Sequence, residues 1–127
     1  MPLFTWYNKY SVNNEELDSH HKQLFNIFNR LYDNCMQPDN NNCIVPILEE
    51  LLLYADYHFK AEEKYMDDTK YKDIVKHTQM HSYFIEKVME IQQVENKNDY
   101  NVVKDLIVFL GNWLRLHIIE EDKKYAV

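Results

Sequence analysis

The sequence predicts an all-α fold, an antiparallel up-down-up-down four-helix bundle with an extended N-terminal arm, on three observations. Apolar residues recur in alternating steps of three and four along four segments, the stripe of helices packed at shallow angles. The 127 residues include one Gly (Gly111) and three Pro (Pro2, Pro38, Pro46), too few turn formers for a sandwich or barrel. The segments between stripes are short, which makes consecutive helices antiparallel neighbours.

Each element follows from its residues. Residues 1–17 carry Phe4, Trp6, Tyr7 and Tyr10, the composition of an arm packed on the bundle rather than a solvated tail. The bundle and its C-terminal segment occupy 18–127, and the whole chain, 1–127, fits one domain able to bury a core. The first helix is expected to begin at Asp18, an N-cap following Leu17. Its stripe is Leu17, His21, Leu24, Phe28, Leu31, Cys35, and the run Pro38-Asp39-Asn40-Asn41-Asn42 ends it. A second helix starts near Ile44, with Pro46 in its first turn, and reads Leu48, Leu51, Ala55, His58, Glu62, Tyr65. The third enters near Thr69 and reads Ile74, His77, His81, Phe84, Val88, Ile91. After the polar stretch from Glu95 to Asp99, the fourth reads Val103, Leu106, Leu110, Trp113, His117.

Composition narrows the function. Fourteen basic against twenty-one acidic residues give a net charge of -7, which argues against a nucleic-acid or anionic-membrane surface. The start Met1-Pro2-Leu3-Phe4-Thr5-Trp6 does not read as a signal peptide, and the apolar run from Leu106 to Leu110 is too short to cross a bilayer. A cytoplasmic protein is expected. Cys35 on its stripe and Cys43 in a polar loop are expected to be two reduced thiols.

Of the six histidines, His21, His58, His77, His81 and His117 fall on stripes where bulky core residues belong. A buried imidazole without a partner loses its water and gains nothing, so several on separate helices ask for a common ligand, best a transition metal. His20 lies about one hundred degrees from the stripe and is expected toward the surface, solvated or behind the ligands. His58 and Glu62 are one turn apart, as are His77 and His81, so each pair points one way. Asp122, five residues beyond His117, does not stack on a regular helix; either the helix loosens or Asp122 sits on the turn beyond. Antiparallel threading brings all these groups to the same end of the bundle.

The donor set is too large for one tetrahedral zinc and too rich in nitrogen for calcium or magnesium. Two octahedral irons would use every donor, with a bridging oxygen, and leave one position open. The ferritin-like pattern is absent, since no Glu is followed three residues later by His.

These residues resemble the hemerythrin family, specifically its single-domain bacterial members, the bacteriohemerythrins. The match begins with Phe4-Thr5-Trp6-Tyr7-Asn8-Lys9-Tyr10-Ser11-Val12 and Glu16-Leu17-Asp18-Ser19-His20-His21-Lys22-Gln23-Leu24-Phe25. It continues through His58-Phe59 with Glu62-Glu63, His77 with His81, Trp113-Leu114 with His117-Ile118, and Asp122. Asn13 stands where the family often has Gly, and Asn also tolerates a left-handed turn.

The resemblance implies that His77, His81 and His117 hold one iron, His21 and His58 the other, and that Glu62 and Asp122 bridge both. It implies two non-haem iron ions joined by an oxo or hydroxo bridge, with O2 as the ligand of the iron that has the open position. Leu24, Phe59, Trp113, Leu114 and Ile118 match the apolar wall of the O2 pocket, though each also reads as an ordinary core residue. The expected function is reversible O2 binding for storage, delivery or scavenging, by a monomer rather than an enzyme and without catalytic residues. Oxygen or iron sensing, and di-iron repair or peroxide handling, are the alternatives.

Overall fold

In the computed structural model the described residues are 4–37, 42–95 and 99–126. Residues 38–41 of the expected helix terminator, 1–3 of the arm and 96–98 of the polar stretch lie outside them. Four helices follow in order: α1 (Glu15–Cys35), α2 (Val45–Asp68), α3 (Ile74–Gln92) and α4 (Tyr100–Leu114). The last continues into a π-helical segment, Arg115–Glu121, and a 3-10 turn, Asp122–Tyr125. α1 packs against α2 and α4, and α3 against the same two, which is a four-helix bundle. Among the described residues, no helix is long and apolar enough to cross a membrane.

The helix starts differ from expectation for local reasons. α1 begins earlier because Asn14 is extended and its side chain accepts the Leu17 N–H at 3.0 Å, making Asn14 the N-cap. Asp18 instead lies in the first turn, where it accepts the Val12 N–H at 2.9 Å and the Ser11 hydroxyl, tying the arm to the helix. Asn13 takes the left-handed conformation, φ 60°, to turn the chain into α1. Thr69 does not open α3. Its hydroxyl donates to Tyr65 O at 2.9 Å and closes α2, and Lys70 at φ 56° breaks the helix before α3 starts. The arm lies on α1, with Phe4 stacked on Phe25 at 4.9 Å and its backbone paired to the Asn29 amide.

Two apolar clusters bracket a polar layer. The larger holds Leu24, Phe28, Leu51, Phe59, Phe84, Leu106, Leu114 and Ile118; the smaller holds Val12, Leu17, Met66 and Tyr125, with Ile74 packed on it. Along α1 the order is Leu17, His21, Leu24; along α2, Phe59, Glu62, Met66; along α3, Ile74, His77 and His81, Phe84. The imidazoles and carboxylates therefore form one stratum with apolar side chains above and below.

At the opposite end, the cysteines depart from expectation. Cys35 and Cys43 are joined in a disulfide, with Cα atoms 5.1 Å apart, so they are not two free thiols. Cys43 is buried beside Ile44 rather than exposed in a polar loop. The C-terminus of α1 lies beside the N-terminus of α2, which puts residues eight apart within bonding range.

Candidate metal centre

All seven predicted ligand residues are buried and converge. His21 comes from α1, His58 and Glu62 from α2, His77 and His81 from α3, and His117 and Asp122 from the segment after α4. The spacing of His117 and Asp122 is resolved by the π-helix: the Asp122 N–H donates to His117 O, an i to i+5 bond, so residues five apart share a face. The helix loosens where the site needs it to.

The donors form two groups, each with its ligand atoms within 4.8 Å of one another: Glu62 with His77, His81 and His117, and Glu62 with His21, His58 and Asp122. Each carboxylate faces both groups with different oxygens. Glu62 Oε1 lies 2.9 Å from His81 Nε2, whereas Oε2 lies 3.0 Å from His21 Nε2 and 3.2 Å from His58 Nε2. Asp122 Oδ1 lies 3.0 Å from Nε2 of both His77 and His117, whereas Oδ2 lies 2.9 Å from His21 Nε2.

The donor set fits cations. Both carboxylates are 0% exposed, a costly position for charge unless a positive partner is present. His58 Nε2, His77 Nε2, Glu62 Oε1 and both Asp122 oxygens have close neighbours but no hydrogen bond. Proximity without hydrogen-bond geometry suits atoms aimed at a shared third partner. Protons meet part of this demand. Burial opposes the charged form of His21, but the carboxylates of Asp122 and Glu62 beside its Nε2 outweigh it and lift the pKa to about 10. His77, buried and facing the same carboxylates, is raised to about 9. In Glu62, burial disfavours the charge, yet His58, His117 and His21 hold its carboxyl well below the usual range. Burial and Glu62 likewise oppose charge on Asp122, and His117 and His21 overcome both, so its pKa also falls. For His58 burial dominates and the pKa falls.

The five apolar residues near the site lie together. Leu24, Phe59, Leu114 and Ile118 are buried in the larger cluster and Trp113 packs against it. Phe59 stacks on His81 at 4.0 Å between centroids and Trp113 on His117 at 4.2 Å, holding both rings in plane.

Three further residues touch the cluster: Tyr125 and Glu63, to which the sequence assigned no role, and His20, expected either solvated or behind the ligands. Tyr125 donates its hydroxyl to Glu62 Oε2 at 2.7 Å. Burial, then the charges of Glu62 and Asp122, raises its pKa, so it stays a donor. Its signal was an aromatic within an otherwise charged terminus, one 3-10 turn after Asp122. Glu63 accepts from His81 Nδ1 at 2.8 Å. His20 meets the second of its two expectations, buried behind a ligand rather than solvated. It is 5% exposed, its Nδ1 lies 3.1 Å from His58 Nδ1, and burial followed by the proximity of His58 lowers its pKa. The α1–α2 seam is wide enough to cover a residue beside the main stripe.

A four-helix bundle with two histidine groups joined by shared buried carboxylates presents two donor groups, each able to hold a metal ion. The chain belongs to the hemerythrin family: residues 12–126 match the model of the hemerythrin HHE cation binding domain. A bacteriohemerythrin of Clostridium acetobutylicum is 30% identical over 128 residues, covering 97% of this chain and 98% of that protein. A hemerythrin-like protein of Naegleria gruberi is 31% identical, covering 96% and 90%. A crystal structure of wild-type hemerythrin superposes with a TM-score of 0.81 at 28% identity, covering 98% of this chain and 95% of that one.

Proposed function

We propose that this protein binds O2 reversibly at a pair of non-haem iron ions, bridged by an oxo or hydroxo group, for oxygen storage, delivery or scavenging. His77, His81 and His117 would hold one iron and His21 and His58 the other, with Glu62 and Asp122 shared. The observation that carries this reading is that each buried carboxylate turns one oxygen to each histidine group. One ion would leave half of those oxygens without a partner. When bound, the iron pair supplies the electrons and the open coordination position that hold O2.

The chain's own residues do the rest. Tyr125 fixes the orientation of Glu62 by donating to Oε2, and Glu63 fixes His81 through Nδ1. Leu24, Phe59, Trp113, Leu114 and Ile118 form the pocket wall and exclude water, which slows loss of bound O2 in an oxidised form. The protein acts as a carrier without catalytic residues. O2 is its partner, and a net charge of -7 disfavours nucleic acid or anionic lipid. We place it in the cytoplasm as a monomer, where the thiol pool would act on the Cys35–Cys43 bond unless that bond resists reduction.

Metal analysis with optical spectroscopy tests the reading. Purified protein should contain two irons per chain and gain a visible absorption band on aeration that disappears when O2 is removed. Stoichiometric zinc, one iron at full loading, or a band that never reverses would reject it.

A further inference from the structure

His81 and His58 occupy equivalent places in their halves of the cluster but are backed by different chemistry. Each turns Nε2 toward Glu62, so the opposite nitrogen, Nδ1, must carry the proton if Nε2 is to offer a lone pair to a metal. Behind His81 stands the Glu63 carboxylate, at 2.8 Å, which can only accept. Behind His58 stands another imidazole, His20, which can donate or accept.

The surroundings of His20 decide its role. Its ring sits in a slot formed by Tyr54, edge-on at 5.9 Å, by Tyr57 at 5.0 Å and by His58, edge-on at 5.2 Å. Both imidazoles are buried, so bulk water does not replace either partner. The two Nδ1 atoms are 3.1 Å apart, a hydrogen-bond distance that needs one proton between them. If His20 carries its own proton on Nε2, that proton faces Glu16 Oε1, 4.0 Å away across a turn of α1, and its Nδ1 is free to accept. The opposite arrangement puts the His58 proton on Nε2, where it would block metal binding.

We propose that His20 is a positioning residue for the metal centre: its Nδ1 accepts the His58 Nδ1–H and thereby presents the His58 Nε2 lone pair to the metal. The inference rests on the di-iron reading. It explains why a sixth histidine is buried at the site without joining either donor group. His20 → His58 runs parallel to Glu63 → His81, with a neutral acceptor in place of a charged one, so His58 receives less negative charge than His81.

The test compares iron-loaded wild type with His20→Leu, which fills the slot without an acceptor, and His20→Gln, which restores one through its amide oxygen. Iron release to the ferrous chelator ferrozine is followed without O2, alongside thermal melting of the metal-free proteins. His20→Leu should lose one of its two irons about 10–100-fold faster than wild type. His20→Gln should recover most of that loss, and the metal-free melting points should not follow the same order. Equal release from His20→Leu and wild type, or a His20→Gln variant as leaky as His20→Leu, would overturn the proposal. So would nitrogen NMR of zinc-loaded wild type showing the His20 proton on Nδ1. Failure of wild type to take up two irons would instead defeat the di-iron reading itself.

Discussion

The three-histidine half of the centre and the two-histidine half are built from different materials. His77 and His81 share one turn of α3, and His117 sits on the π-helical segment; two of the three rings lie against aromatic planes, Phe59 on His81 and Trp113 on His117. His21 and His58 come from two different helices and meet across the α1–α2 seam, with Trp6 of the arm 6.5 Å from His21. A local chelate on one helix needs little tertiary structure to form, whereas a pair drawn from two helices exists only once the bundle is packed. The half with fewer nitrogens is thus also the half that depends more on packing. His20 could have supplied a third nitrogen there, but its Nδ1 is turned to His58 instead. In the proposed centre, the asymmetry that would leave room for O2 is therefore set by side-chain direction as well as by residue count.

The largest expected effect comes from removing what the halves share. Glu62→Ala should abolish retention of both irons, since the lost oxygens face His81 on one side and His21 and His58 on the other. Retention of a full iron complement by Glu62→Ala, measured by metal analysis of folded protein, would show that the halves are independent.

Next, single-histidine variants should separate the halves. His21→Ala should deplete one iron and end O2 binding, because it leaves His58 as the only imidazole there. His77→Ala should weaken the other half less, since His81 and His117 remain. Equal iron loss from both variants would remove the proposed inequality.

A smaller effect belongs to the wall. Leu114→Ala and Ile118→Glu should keep two irons but shorten the lifetime of the O2-bound form in air, as water gains access to the pocket. Leu114→Ala also costs about 2–5 kcal/mol of stability as a buried truncation, so lifetimes are compared on loaded, folded protein. Unchanged decay would mean that these side chains do not guard the site.

Metal-free protein should show the cluster's protons in its stability. His21 and His77, raised to about 10 and about 9 from 6.5, contribute stability that is complete below about pH 6.5 and lost as the pH rises through 9 to 10. Glu62 and Asp122, lowered from 4.5 and 3.8, contribute stability present above those values and lost at lower pH. The melting temperature should peak between about pH 4.5 and 6.5. A maximum above pH 8 would show that His21 and His77 are not protonated in the metal-free cluster.

The smallest effect on the centre should come from the far end of the bundle. Reducing Cys35–Cys43 should cost about 2.5 kcal/mol by the chain-entropy relation for so short a loop, lowering the melting temperature while leaving iron content unchanged. Iron loss on reduction alone would show that the two ends are coupled.

Much of this arrangement was legible in the sequence. Buried-stripe histidines identify themselves because imidazole is out of place there, and antiparallel threading puts them at one level. Asp122 was legible only as an irregularity, five residues from His117, because nothing in Leu116 to Glu121 announces a π-helix. Of the two expectations for His20, the solvated one fails because a stripe argument treats a helix as having one buried line, while α1 packs against both α2 and α4 and buries a wider face. Tyr125 escaped notice because its partner, Glu62, is 63 residues away. The disulfide was missed for a different reason: Cys43 reads as lying in a polar loop, whereas it is buried with its Cα 5.1 Å from that of Cys35.

The central claim is that two inequivalent metal positions share two carboxylates. Mössbauer spectroscopy of protein loaded with iron-57 and exposed to O2 tests it most directly. Two quadrupole doublets of equal area are predicted, one from the three-histidine position and one from the two-histidine position where O2 binds. A single doublet that persists with O2 bound, or areas far from equal at full loading, would contradict it.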